Sequence, residues 1–275
     1  MGLKSEKVRR RFQQSLIENI EKHFMKLNSE CLISYDRGRI YLMSDDSDAA
    51  RTVISHTFGI VSYSEAVETG TRLDTILESV VDYARGILAE GNTFAIRARR
   101  SGQQKFTSIE LASKAGEVIL NNFSDLQLKV DLENPEVEIQ IDAREKGAYI
   151  YSSVELGPGG LPLGTQGNVL CPSGGKDGIL AAWMMMRRGC KVIVAGEDRD
   201  NVTPLLAWDP ELLFVQSDNA ETVKLAKENG CRGIAFAFGY RDIATSPPDK
   251  DGLAMFYPLI GLSPVEKQRL LNKVL

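Results

Sequence analysis

From Asn168 onward the chain changes its rhythm. Apolar runs expected to be strands at Asn168–Cys171, Lys191–Ala195 and Gly233–Phe238 are separated by helical patterns at Ile179–Arg188 and Ala220–Asn229. Strands joined through helices run parallel, because each crossover returns the chain to the same end of the sheet. This part is therefore expected to be a doubly wound parallel-sheet α/β domain. The stretch Gly157–Gly167, dense in Gly and Pro, reads as the linker that precedes it.

Upstream of the linker the pattern is mixed. Val8, Phe12, Leu16, Ile20 and Phe24 repeat every four residues after Ser5, the stripe of a helix with one buried face. Strands are expected at Cys31–Tyr35 and Arg39–Met43 around the turn Asp36-Arg37-Gly38, then a helix from Ser47 to about Phe58 and a strand near Ile60–Ala66. That order is the βαββαβ pattern of a ferredoxin-like domain without its first strand. The expectation follows that Met1 is an internal start or that the chain is a fragment. A second unit holds a helix marked by Ile76, Val80, Tyr83, Ala84, Ile87 and Leu88 and a strand at Phe94–Ala98. It continues with a helix from Ser108 and strands near 126–131, 136–142 and 147–155.

Composition excludes several classes. With 275 residues there is length for roughly two domains or three small ones. No run of apolar residues is long enough to span a bilayer, and the charged first residues do not form a signal peptide, so no membrane partner is expected. Four cysteines lie apart without a CxxC pair, which argues against disulfides and zinc and fits a reducing, cytoplasmic setting. The net charge of −4 gives no bulk case for a nucleic acid. Local clusters matter more, and Lys7–Arg11 and Arg97, Arg99, Arg100 and Lys105 are two such clusters. The second cluster stands in the most acidic part of the chain, residues 61–165, where 10 Lys and Arg face 16 Asp and Glu.

The strongest chemical signal is Ser173-Gly174-Gly175-Lys176-Asp177-Gly178 between a strand and a helix. Two glycines let the backbone approach a ligand, and free N–H groups at a helix start favour a phosphate. It is neither a Walker A loop nor a Rossmann fingerprint. An ordinary strand-to-helix turn, with Asp177 as a first-turn carboxylate, fits the six residues equally well.

The loop resembles the S-G-G-x-D-S loop of enzymes that split ATP into AMP and pyrophosphate, and its neighbours extend the likeness. Gly159–Gly167 and Arg187-Arg188-Gly189 around the loop resemble the tRNA 4-thiouridine synthetase family, also known as thiamine biosynthesis sulfurtransferases. So do Phe94–Gly102 with Ser108–Leu111, Val130–Glu136, Gly2–Ser5 with Arg10-Arg11-Phe12, and Tyr257–Leu262. The resemblance implies a ferredoxin-like domain at 1–60, a THUMP domain at 61–157 and a nucleotide α-hydrolase-like domain at 165–275. It further implies that the chain adenylates uridine 8 of tRNA with ATP and Mg²⁺, whereupon sulfur displaces AMP to leave 4-thiouridine. On this reading Ser173, Gly174, Gly175, Lys176, Asp177 and Gly178 hold the nucleotide, with Asp177 also catalytic. Arg97, Arg99, Arg100 and Lys105 contact RNA phosphates, unless they are a solvated strand end.

Three departures stand out. Gly178 occupies the position of the loop's second serine, and Lys176 either supplies a compensating charge or is solvated. No cysteine matches a reactive family position, so the sulfur donor is expected to be external, a cysteine desulfurase or sulfide; a homodimer is also allowed. Phe236–Asp242 stands where a Gly- and Ser-containing motif is expected. The resulting alternative is a THUMP-type tRNA-binding protein without thiolation activity. Met184–Met186 read as core filling, and His23 and His56 show no acid–base arrangement.

Overall fold

A computed structural model describes residues 5–36, 39–218, 221–239, 242 and 252–275. They form two compact units, one of Met1–Ser62 with Leu156–Leu275 and the other of Tyr63–Glu155. Residues 1–4, where a preceding strand would join, and the turn residues 37 and 38 lie outside the described residues.

Helix α1 (Glu6–Leu27) buries Phe12, Leu16, Ile17, Ile20, His23 and Phe24, the face announced by the four-residue repeat. Strands β1 (Leu32–Asp36) and β2 (Arg39–Met43) pair antiparallel, with Leu32 opposite Met43. Helix α2 (Ser47–His56) starts at Asp46, whose carboxylate accepts from the Ala49 amide at 2.9 Å. Leu16, Ile20, Phe24, Ala49 and Val53 pack against Ile33, Ile40 and Leu42 of the hairpin. The strand expected at 60–66 shortens to β3 (Ser62–Tyr63).

The second unit contains β4 (Val67–Thr69), α3 (Leu73–Arg85), β5 (Thr93–Arg100), α4 (Ser108–Asn122), β6 (Lys129–Val130), β7 (Val137–Ala143) and β8 (Ala148–Tyr151). The sheet order is β4-β8-β7-β5-β6, with β5 parallel to both β6 and β7. Helices α3 and α4 cover one face: Ile76, Val80, Ala84, Leu111, Ala115 and Ile119 share a core with Phe94, Ile96, Ile139 and Ile141. Helix α3 stops at Arg85 with Gly86 as its C-cap, before Ile87 and Leu88 of the expected stripe.

After β9 (Glu155–Leu156) the chain enters the parallel sheet of β10 (Asn168–Pro172), β11 (Lys191–Gly196), β12 (Leu213–Gln216), β13 (Gly233–Ala235) and β14 (Ala254–Phe256). The order is β12-β11-β10-β13-β14, parallel throughout. Helices α5 (Gly175–Arg187) and α7 (Pro264–Val274) join the core that includes Val169, Cys171, Val192 and Val194, while α6 (Thr222–Glu228) packs over Leu170, Ile193 and Ile234. Met185 and Met186 are buried in the first of these cores. A 3-10 run at Asp200–Ala207 and β12 fill the stretch between β11 and α6, and β13 ends at Ala235 rather than Phe238.

The expected linker is not free. The Gly59 amide donates to the Gly159 carbonyl at 2.8 Å and Leu161 to Arg187 at 3.0 Å, so the Gly- and Pro-rich stretch straps α5 to the end of α2. Phe58 stacks on Trp208 at 4.8 Å and meets Trp183 edge-on. Lys22 pairs with Glu211 at 2.7 Å, and the Asn19 amide reaches the Leu163 carbonyl. These contacts make the first 62 residues and the parallel sheet one compact unit. Among the described residues no helix is long and apolar enough to cross a membrane.

Candidate functional site

In the parallel sheet the strand order reverses between β10 and β13, which places a crevice outside their carboxyl ends, where ligands of open α/β sheets bind. The loop Ser173–Gly178 runs from β10 into α5 at this crevice.

Gly174 is the N-cap of α5 and no side chain caps the helix, so its first amides are left to solvent or a ligand. Gly174 and Gly175 are exposed, and a Cβ at either would meet nothing within 4 Å. Gly175 has φ +58°, a left-handed conformation that glycine adopts without penalty. The Ser173 amide donates to Ala195 at 2.6 Å, tying the loop to β11. Lys176 is exposed. Gly178 is buried, and a Cβ there would lie 3.2 Å from the Pro172 carbonyl and the Ser173 backbone, so the loop closes over it too tightly for a serine without a backbone shift.

The structure adds two residues that sequence reasoning missed. Gly196 ends β11 beside the loop, and a Cβ on it would stand 1.8 Å from Ser173 Oγ; the serine hydroxyl occupies the space that the glycine leaves. Lys267 on α7 donates to the Asp177 carboxylate. No local signal marks Lys267, because its role depends on α7 returning to the loop from 90 residues away. Asp177 thus has a cationic partner in the protein itself. Among the described residues no three His, Cys, Asp or Glu side chains cluster to hold a metal. The one loop carboxylate, Asp177, is paired with Lys267, so an Mg²⁺ at this site would be held mainly by the phosphates of a bound nucleotide.

The cysteines of this unit are not poised as nucleophiles. Cys171, Cys190 and Cys231 are buried. Burial pushes the Cys171 thiol far above its ordinary value and Cys231 up to about 11; Cys190 rises for the same reason. His23 is also buried, and desolvation lowers its pKa to about 4, against pull from Asp209.

The four cations expected to meet RNA separate into different surroundings. Arg97 donates through Nε to Glu138 at 2.8 Å and through Nη2 to the Leu132 carbonyl at 2.6 Å, so part of its charge is committed within the sheet. Arg97 and Arg99 line a cavity of about 410 Å³ with Ser108, Ile109 and Gln140. Arg100, on the following position of the strand, donates to the Gly102 carbonyl at 3.2 Å. Lys105 lines a different cavity of about 830 Å³ with Arg72 and Arg144. There Arg144 is bound through two hydrogen bonds, 2.8 and 2.9 Å, to the buried Asp142 carboxylate. Along the Lys7–Arg11 cluster, Arg10 pairs with Glu6 and Arg11 lies over Phe12.

Comparison with known proteins gives the context. Residues 1–64 match the ThiI ferredoxin-like domain and residues 70–153 the THUMP domain. The probable tRNA sulfurtransferase of Methanothermobacter thermautotrophicus is 41% identical over 204 residues, 72% of this chain and 50% of that protein. That of Sulfurisphaera tokodaii is 38% identical over 250 residues, 88% of this chain and 63% of the relative. The chain therefore spans about half the length of the first of these curated relatives. The crystal structure of PH1313 from Pyrococcus horikoshii superposes with a TM-score of 0.84 at 27% identity, covering 99% of this chain and 96% of that one. A 4-thiouridine synthetase–RNA complex with bound ATP shares the fold, with a TM-score of 0.78 at 20% identity over 100% of this chain and 82% of its own. With both domain families in order and these relatives aligned along most of its length, the chain carries the ThiI ferredoxin-like and THUMP domains and is similar to the tRNA sulfurtransferases over the part of them that it spans.

Proposed function

We propose that the chain works in ATP-dependent thiolation of tRNA, with nucleotide bound at Ser173–Gly178 and RNA held by the THUMP unit. The observation that carries the reading is the uncapped start of α5 at the crevice, with exposed glycines ahead of it. Amides there suit the phosphates of ATP, and the exposed Lys176 adds a cation. Mg²⁺ enters only as the counter-ion that ATP brings. The proposed division is 1–60, 61–157 and 165–275 for the three functional parts.

In the proposed reaction the C4 oxygen of uridine 8 attacks the α-phosphorus of ATP and pyrophosphate leaves. A sulfur nucleophile then adds at C4 and the C4–O bond breaks, releasing AMP. Adenylation is needed because the bare oxygen is a poor leaving group. The Lys267–Asp177 pair sets the charge at the loop, and Asp177 positions the site through it. The buried thiols of Cys171, Cys190 and Cys231 support an external sulfur donor, a cysteine desulfurase or sulfide. Arg99 and Lys105 are the proposed phosphate contacts, with Arg97 and Arg100 contributing from the same strand; backbone contacts of this kind read shape rather than sequence.

The test is direct. Purified protein with tRNA, Mg²⁺-ATP and sulfide is expected to release AMP and to produce thiouridine absorbing in the near ultraviolet. Absence of tRNA-dependent AMP release overturns the proposal. The buried thiols and the crowded Gly178 favour one alternative, a tRNA-binding protein without thiolation activity. That protein binds tRNA with strong salt dependence and turns over no ATP.

A further inference from the structure

Three aromatic rings gather at the carboxyl edge of the sheet, at the ends of the two strands next to the one that leads into the loop. Phe236 and Phe238 follow β13, and Tyr257 follows β14. Their centroids are 5.0, 6.1 and 6.3 Å apart, and their planes lie within 18–22° of one another, so all three present similarly oriented faces. Leu170 pairs with Ile234 and Ala235 with Phe256 in the parallel register. Two residues further along, Phe236 therefore comes level with Pro172 at the loop, and Tyr257 stands one strand beyond. Adjacent strands are about 4.8 Å apart, so the strand ends that carry Phe236 and Tyr257 lie one and two spacings from the strand that leads into the loop, within the length of a nucleoside phosphate. The Phe236 amide donates to the Phe256 carbonyl at 2.9 Å and fixes the root of the group.

Core packing does not account for these rings. Phe236 touches the core beneath α6, but Phe238 and Tyr257 belong to none of the hydrophobic clusters among the described residues, and both stay partly exposed. Aromatic faces accept any nucleobase, since every base has a π face. A base displaced from an RNA stack is commonly held in this way.

We propose that Phe238 and Tyr257, backed by Phe236, form a nucleobase-stacking platform beside the phosphate loop. The proposal rests on the loop's binding phosphate. Its base comes either from the adenine of ATP or from the uridine to be modified, and both place their reacting phosphate or oxygen at the loop.

The test measures affinities of the full chain for inorganic pyrophosphate, AMP and UMP, in wild type and in Phe238→Ala, Tyr257→Ala and Tyr257→Phe. Loss of about tenfold or more in AMP affinity for both alanine variants, with pyrophosphate affinity and Tyr257→Phe unchanged, assigns the platform to adenine. The same loss confined to UMP assigns it to the acceptor base. Equal affinities of all variants for both nucleotides, with pyrophosphate still bound, overturn the platform and leave the loop reading intact. Failure of wild type to bind pyrophosphate, AMP or UMP overturns both.

Discussion

Lowering the pH should unlock α1 from the parallel-sheet part through His23. The side chain is 8% exposed, and burial lowers its pKa from 6.5 to about 4; Asp209 and a backbone hydrogen bond to Trp208 oppose the shift, and His56 reinforces it. In the unfolded chain the imidazole takes a proton near its ordinary pKa, whereas in the folded chain it stays neutral until about pH 4. Below pH 6.5 the unfolded state therefore binds more protons, and the stability from neutral His23 is lost as pH falls from there towards 4. At roughly 1.4 kcal/mol per pH unit, the loss reaches about 2.5 kcal/mol at pH 4.5. Denaturant unfolding followed by tryptophan fluorescence reads this directly, because both tryptophans, Trp183 and Trp208, lie in the same core as Phe58. His23→Leu removes the titrating group, so the stability of wild type minus that of the variant is expected to fall by about 2.5 kcal/mol between pH 7.5 and 4.5. A difference that stays constant over that range refutes the argument.

Other expectations follow from single contacts. Gly196→Ala drives a methyl group into Ser173 Oγ and should cost about 1–3 kcal/mol in stability together with a measurable loss of pyrophosphate affinity; an unchanged melting temperature and affinity would contradict the packing described. Gly178→Ser, which restores the usual loop residue, is expected to lower the melting temperature because its Cβ meets backbone at 3.2 Å, and a rise would count against the fit. Arg99→Ala should weaken tRNA binding and reduce the slope of log affinity against log salt by about one, whereas an unchanged slope removes Arg99 from the RNA contacts. Brief alkylation of the native protein near pH 8, read by mass, should spare Cys171 and Cys231, whose thiols are buried and raised; fast labelling of either would contradict their assignment as packing residues.

Much of this architecture is written in neighbouring residues. The four-residue stripe of α1, the alternation from Asn168 onward and the glycines of the loop are local patterns, and the observed helices and parallel sheet follow them. Ends were less legible: the strand after Gly233 stops early and the helix near Ile76 ends at Arg85, since termini depend on caps and partners rather than on periodicity. The ordered strap at 157–167 was hidden for a related reason, because Gly and Pro signal a turn without saying what the turn packs against. Tertiary structure alone decided the chemistry around the loop. Parallel crossovers bring strand ends far apart in sequence to one edge of the sheet, and that convergence sets Lys267 against Asp177, gives Ser173 the space over Gly196 and gathers Phe236, Phe238 and Tyr257. The same principle separated Arg97 and Arg99 from Lys105, neighbours in sequence that line different cavities once strand and loop have folded.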